Sequence, residues 1–67
     1  MHEKPEFGGM TVNERLFVAR LVEQWDHAVN ARDRDAMIEI LTRVELPKTE
    51  AGRIADTILA NPAKYGF

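Results

Sequence analysis

Beyond residue 10, apolar residues recur at spacings of three and four, the period of amphipathic helices. The strongest stretch is Leu16 to Val29, LFVARLVEQWDHAV. It places Phe17 or Val18, then Leu21, Val22, Trp25, Ala28 and Val29 along one stripe, broad enough to need cover from two other helices. Two caps are available at its start. Thr11 with Glu14 forms a capping box, whereas Asn13 would pair Val12 with Phe17 as a hydrophobic staple. The pattern predicts a first helix over about residues 12–30, with Trp25 buried in mid-stripe.

A charged connector, Ala31 to Asp35, follows. Asp33 suits the N-cap of a second helix, with Asp35 in the first turn where the helix dipole favours acid. Met37, Ile38, Ile40, Leu41 and Val44 supply a wide apolar arc, and Glu39 and Arg43 form a favourably oriented outer pair. This helix is predicted over 34–45, antiparallel to the first because the connector is short. Leu46-Pro47 stops it, and Pro47 can open a third helix at its first position. Ala51, Ile54, Ala55, Ile58 and Leu59 mark that helix over 48–60. Gly52 costs it about 1 kcal/mol relative to alanine, a cost that a close backbone approach would explain. Asn61 is expected as a left-handed C-cap before Pro62, with a short turn over 62–65 closed by Gly66. The fold class is all-α: an antiparallel helix hairpin plus a third helix, in a small three-helix domain over 11–67. Residues 1–10, with Pro5, Gly8 and Gly9 and no apolar period, are expected to form a flexible, disordered leader.

Composition narrows the chemistry. The chain has 67 residues, enough for one small domain. It lacks cysteine, so neither disulfides nor thiolate metal sites can support so small a core. Association with another chain is the remaining device, which predicts a homo-oligomer, most simply a dimer. The 9 basic and 11 acidic residues are mixed along the sequence and leave a net charge of −2, without the basic field of generic nucleic-acid binders. No apolar run approaches the length of a membrane span. A soluble, cytoplasmic protein with no membrane contact is expected.

Catalytic groups are scarce. Serine and cysteine are both absent, which excludes Ser/His/Asp and Cys/His arrangements within one chain. Glu23 and His27 share a helical face, but no matching acid-histidine set occurs elsewhere to complete a bundle metal site. Asp33-Arg34-Asp35 fails as a calcium loop, since Ile38 stands where glycine is required. No catalytic residue, cofactor or metal site is therefore expected. At the C-terminal end, Tyr65 and Phe67 either fold back over the small-residue face of the third helix or form an aromatic anchor for a partner.

Two segments resemble known families. Leu21 to Leu41, with its VNARDRDAMIEIL core, resembles the opening helix pair of NTF2-like domains, which continue into a curved sheet that this chain has neither the strands nor the length to form. Ile40 to Ile58 resembles a helix-turn-helix, and LPKTEAGRIADTIL is similar to the second-helix motif of IclR-like repressors. Ile40, Val44, Leu46, Ala51 and Ile54 stand where that motif buries residues. Leu41 replaces the usual small alanine, and Glu45 the usual turn glycine. The resemblance implies Lys48, Thr49 and Arg53 as DNA contacts, beside Glu50 and Asp56, which repel phosphate. No family is recognised across the whole chain. The leading expectation is a non-enzymatic, self-associating protein-interaction or adaptor module, with helix-turn-helix DNA binding as the alternative.

Overall fold

A computed structural model describes residues 7–67. Four α-helices follow one another: α1 (Val12–Val18), α2 (Val22–Asn30), α3 (Arg34–Arg43) and α4 (Lys48–Ala60). A 3-10 turn, Pro62–Tyr65, closes the order, and no strand occurs among the described residues. The all-α expectation holds, but the three-helix arrangement becomes four. The first predicted helix is broken between Val18 and Val22, and the second ends at Arg43 rather than near 45.

The break has a definite cause. Ala19 is the C-cap of α1, and Arg20 follows in the left-handed region at φ 62°. The Arg20 N–H donates to the Phe17 carbonyl at 3.1 Å and the Leu21 N–H to the Leu16 carbonyl at 2.9 Å. These are the two bonds of a Schellman cap, which normally comes with an apolar contact between the residues standing here at 16 and 21. Both leucines are buried in the core. In an unbroken helix, positions five apart point about 140° away from each other, so Leu16 and Leu21 could not both face inward. The cap brings them together, and the straight stripe loses Phe17, Val18 and Val22 to the surface.

The same stop recurs twice. After α2, Arg32 (φ 56°) donates to Val29 and Asp33 to Ala28; after α3, Glu45 (φ 68°) donates to Thr42 and Leu46 to Leu41. In all three the left-handed residue is not glycine. The start signals behave as the sequence indicates at two helices. Thr11 and Glu14 exchange capping-box bonds of 3.1 and 2.9 Å, and the Asp33 carboxylate accepts from the Ala36 N–H. Pro47 stands one position earlier than expected, as the N-cap of α4. Asn61 caps α4 without a left-handed backbone, at φ −151°, and Gly66 is the left-handed residue that closes the final turn.

The core gathers Leu16, Leu21, Trp25, Ala28 and Val29 from the first half with Met37, Ile40, Leu41 and Val44 from α3 and its cap. Ala51, Ala55 and Ile58 complete it from α4. Trp25 is 3 % exposed, as its mid-stripe position predicts. Phe7, assigned from sequence to a flexible leader, is instead buried at 6 % exposure. The Arg15 guanidinium lies 5.8 Å from its ring centroid, within cation–π range. Arg15 also donates to the carbonyls of Met10 and of Val44, at 3.3 and 3.0 Å. It thereby ties the segment before α1 to a carbonyl that the end of α3 leaves without a helical partner. The rest of the expected leader, residues 1–6, lies outside the described residues.

Gly52 is buried in α4, but the close backbone approach expected for it is not what the structure has. A Cβ added there would meet the Arg34 Nη2 at 3.4 Å and the Ile38 Cδ1 at 4.0 Å. Both are ends of side chains at ordinary contact distance, so the position has room for a methyl group.

Candidate functional site: an apolar groove

The side chains that the Arg20 cap turns outward do not scatter. Phe17 (76 % exposed), Val18 (43 %), Val22 (40 %) and Tyr65 (41 %) are the large exposed hydrophobics among the described residues. All four line a single groove of about 1010 Å³. One wall is built by Val12, Phe17 and Val18 of α1 with Val22 of α2. The other comes from Ile54, Thr57 and Ile58 of α4, with Tyr65 and Phe67 of the C-terminal turn. Leu16 and Trp25, both buried, reach it from the core side.

Each wall is held by a local device. The α1 wall is fixed at its start by the Thr11–Glu14 box and at its end by the Arg20 cap. The C-terminal wall depends on Gly66, whose left-handed backbone (φ 91°) lets the Phe67 N–H donate to the Pro62 carbonyl at 3.0 Å. That bond turns Phe67 back towards the domain, where it is half-buried against the core. Tyr65 remains more open, with the Lys64 ammonium 5.8 Å from its ring centroid. The two aromatics named from the sequence as partner contacts thus line one groove. Sequence reasoning missed Phe17, Val18 and Val22, because it counted them within the buried stripe.

The charged groups of the lining are Glu14, Asp26 and Arg53. Arg53 is ion-paired with Glu50, one turn back along α4. Arg34 of α3 makes a two-pronged pair with Asp56 of α4, through Nε at 2.6 Å and Nη2 at 3.2 Å. The hydrogen bond from Arg34, with its charge, holds the Asp56 carboxyl below the ordinary aspartate value against an opposing effect of desolvation. The same hydrogen bond and the Asp56 charge raise Arg34. Both ends remain about half open to solvent.

The residues implied by the helix-turn-helix resemblance are all exposed and lie in the N-terminal half of α4. Lys48 and Thr49 occupy its first turn, outside the groove, and Arg53 comes one turn later at the groove's edge. Glu45, at the position where the resemblance has a turn glycine, is in the left-handed region at φ 68°. Elsewhere, Glu23, His27, Asp33, Glu39 and Arg43 surround a more polar recess between α2 and α3. Among the described residues, no three potential ligands are gathered closely enough to hold a metal ion. No helix of the described residues is long and apolar enough to cross a membrane. The chain matches no protein-family model, no curated protein and no solved structure.

Proposed function

We propose that the chain is a small, non-enzymatic protein-interaction or adaptor module that works through the groove between α1, the start of α2, the C-terminal half of α4 and the final turn. The supporting observation is the convergence of Phe17, Val18, Val22 and Tyr65 on that one surface. Scattered exposed apolar residues are ordinary, whereas a contiguous patch of them marks an interaction face. Aromatic residues such as Phe17 and Tyr65 are also well suited to carry binding energy. Self-association, suggested by the chain's small size, is one way of covering the face. The absence of serine and cysteine from the sequence removes the nucleophiles of Ser/His/Asp and Cys/His catalysis.

Phe17→Ser and Tyr65→Ser test this reading by sedimentation and by affinity capture from the native host. Either change should abolish self-association or a reproducibly captured partner, with the circular-dichroism spectrum and thermal midpoint unchanged. If both variants keep every association of the parent chain, the groove is not the interaction face.

The α3–turn–α4 geometry favours DNA binding as a second reading, with Lys48, Thr49 and Arg53 as contacts. The pairing of Arg53 with Glu50 counts against it, because the pair would have to be broken before a phosphate could be met. Titration against random and host genomic duplexes at two salt concentrations separates the readings. A DNA-binding protein would lose affinity steeply with salt, and Arg53→Ala would reduce the slope by about one. The interaction reading expects no retention at physiological salt.

A further inference from the structure

Resting on the interaction reading, we propose that the groove receives an amphipathic helix of another protein, one that carries lysine or arginine beside its apolar anchors. A trough of aliphatic and aromatic side chains between helices is the surface into which such a helix lays residues spaced i, i+3, i+4 and i+7. Here the trough is lined by α1 and the start of α2 together with α4 and the final turn, and both Phe17 and Tyr65 belong to its lining.

The charge of the lining selects the partner. Arg53 is answered by Glu50, which lies outside the lining. Lys64 is placed over the Tyr65 ring and is also outside it. Asp26 has no ion pair among the described residues, and Glu14 accepts only the Thr11 N–H that completes its cap. The groove therefore presents two carboxylates that form no ion pair with a cation of its own walls. Basic residues flanking the incoming helix would supply the missing charge and favour encounter.

A second copy of this chain fits less well. In a two-fold contact each copy offers the same patch, so the seam would gather Glu14 and Asp26 from both copies with only Arg53 among the charged groups of the lining to offset them. Arg53 would relieve them only by leaving its pair with Glu50. Anionic lipid and nucleic acid meet the same repulsion.

The test is selection from a displayed library of helical peptides of about five turns, using the full chain as bait, with the same chain examined by sedimentation. Enriched peptides should share apolar residues at helical spacing with lysine or arginine beside them. Their affinity should fall at least tenfold on Phe17→Ser. It should fall several-fold, with a weaker salt dependence, on the combined change Glu14→Gln and Asp26→Asn. Glutamine preserves the capping box, so this variant separates lost charge from lost folding. Groove-dependent peptides that are neutral or acidic would overturn the basic-helix proposal while leaving the groove as an interaction face. Self-association abolished by Phe17→Ser, with no peptide enriched, would overturn it in favour of a second copy. The absence of both peptide binding and self-association would overturn the interaction reading itself.

Discussion

The α1–α2 junction and the α3–α4 corner are made with the same backbone device and have opposite surfaces. Each ends a helix with a non-glycine residue in the left-handed region, Arg20 in one and Glu45 in the other, and each closes the same pair of hydrogen bonds. Around Glu45 the apolar neighbours go inward: Leu41 and Val44 are wholly buried and Leu46 is half-buried. Around Arg20, only Leu16 and Leu21 go inward, while Phe17, Val18 and Val22 go out. A Schellman cap secures one apolar pair across the break. Where further apolar residues lie beside that pair, the cap turns them out of the core. The corner between α3 and α4 has no such surplus. The junction between α1 and α2 has one and becomes a surface.

The sharpest way to break this comparison is to truncate one large side chain in each region. Leu41→Ala removes a wholly buried side chain and should cost about 3 kcal/mol, and Trp25→Ala, buried beneath the groove, about 4 kcal/mol. Against a total of roughly 0.1 kcal/mol per residue, about 7 kcal/mol for this chain, either change should remove about half of the stability and lower the thermal midpoint sharply. Phe17→Ser, on a side chain 76 % exposed, should leave the thermal midpoint unmoved. If Phe17→Ser melts as early as Leu41→Ala, then Phe17 is in the core in solution and the groove is not an open surface.

Phe7 tests whether the α1 side extends to the segment before it. Phe7→Ala should destabilise by about 2 kcal/mol, the worth of burying one large apolar side chain. Arg15→Gln should share part of that loss, because it removes the charge over the ring and weakens the tie to the Val44 carbonyl. A chain beginning at residue 10 that melted like the parent would return Phe7 to the status of a loose leader.

The positions of α3 and α4, two of the N-caps and most of the core were legible in the sequence, because each rests on a local rule. The 3.6-residue period located α3 and α4, Asp33 and the Thr11–Glu14 box began their helices as their chemistry requires, and Trp25 lay where its stripe put it. The break at Arg20 was not legible. Residues 13 to 30 contain neither glycine nor proline, and arginine favours helix. The decision comes from tertiary packing, which rewards burying Leu16 beside Leu21 more than it penalises the left-handed arginine. Phe7 was missed for a related reason: a single aromatic among glycines has no period, and only its partner Arg15 shows its place. The candidate site was half legible. Tyr65 and Phe67 could be named as chain-end aromatics, but the opposite wall exists only because the stripe was cut.

Arg20→Gly sharpens the comparison with a smaller effect. A left-handed backbone costs an ordinary residue about 1 kcal/mol and glycine almost nothing. The substitution should therefore raise stability by a few tenths to about 1 kcal/mol, and Glu45→Gly should act in the same direction. Arg20→Val, β-branched at the same φ, should lower it. If Arg20→Gly destabilises while Glu45→Gly stabilises, then α1 and α2 form one continuous helix in solution, and the stripe from Leu16 to Val29 is intact. Gly52→Ala supplies a control away from both regions. Helix propensity favours it by about 1 kcal/mol, and the added methyl meets only the Arg34 and Ile38 side-chain ends.

The smallest effect lies in the ion pair that crosses from α3 to α4. The Asp56 carboxyl is held below its ordinary value, first by the hydrogen bond from Arg34. A carboxyl depressed in the folded state contributes stability that is present above its unfolded value and lost as pH falls through the folded one. Arg34 is shifted upward from a value that is already very high, so it stays protonated and adds no alkaline dependence of its own. Asp56→Asn should thus lower the thermal midpoint slightly at neutral pH, by no more than a solvent-exposed pair allows. The gap between variant and parent should close as the solution is acidified through and below the ordinary aspartate range near pH ~4. A matching series at high salt should show the gap already reduced at neutral pH, since the pair is open to screening. A gap that persists unchanged in acid would mean that Asp56 holds α4 through its shape or its hydrogen bond rather than through its charge. In that case the charge of the pair would add nothing to the α3–α4 corner, which the burial of Leu41, Val44 and Ala51 would hold together with the uncharged contact of Asp56.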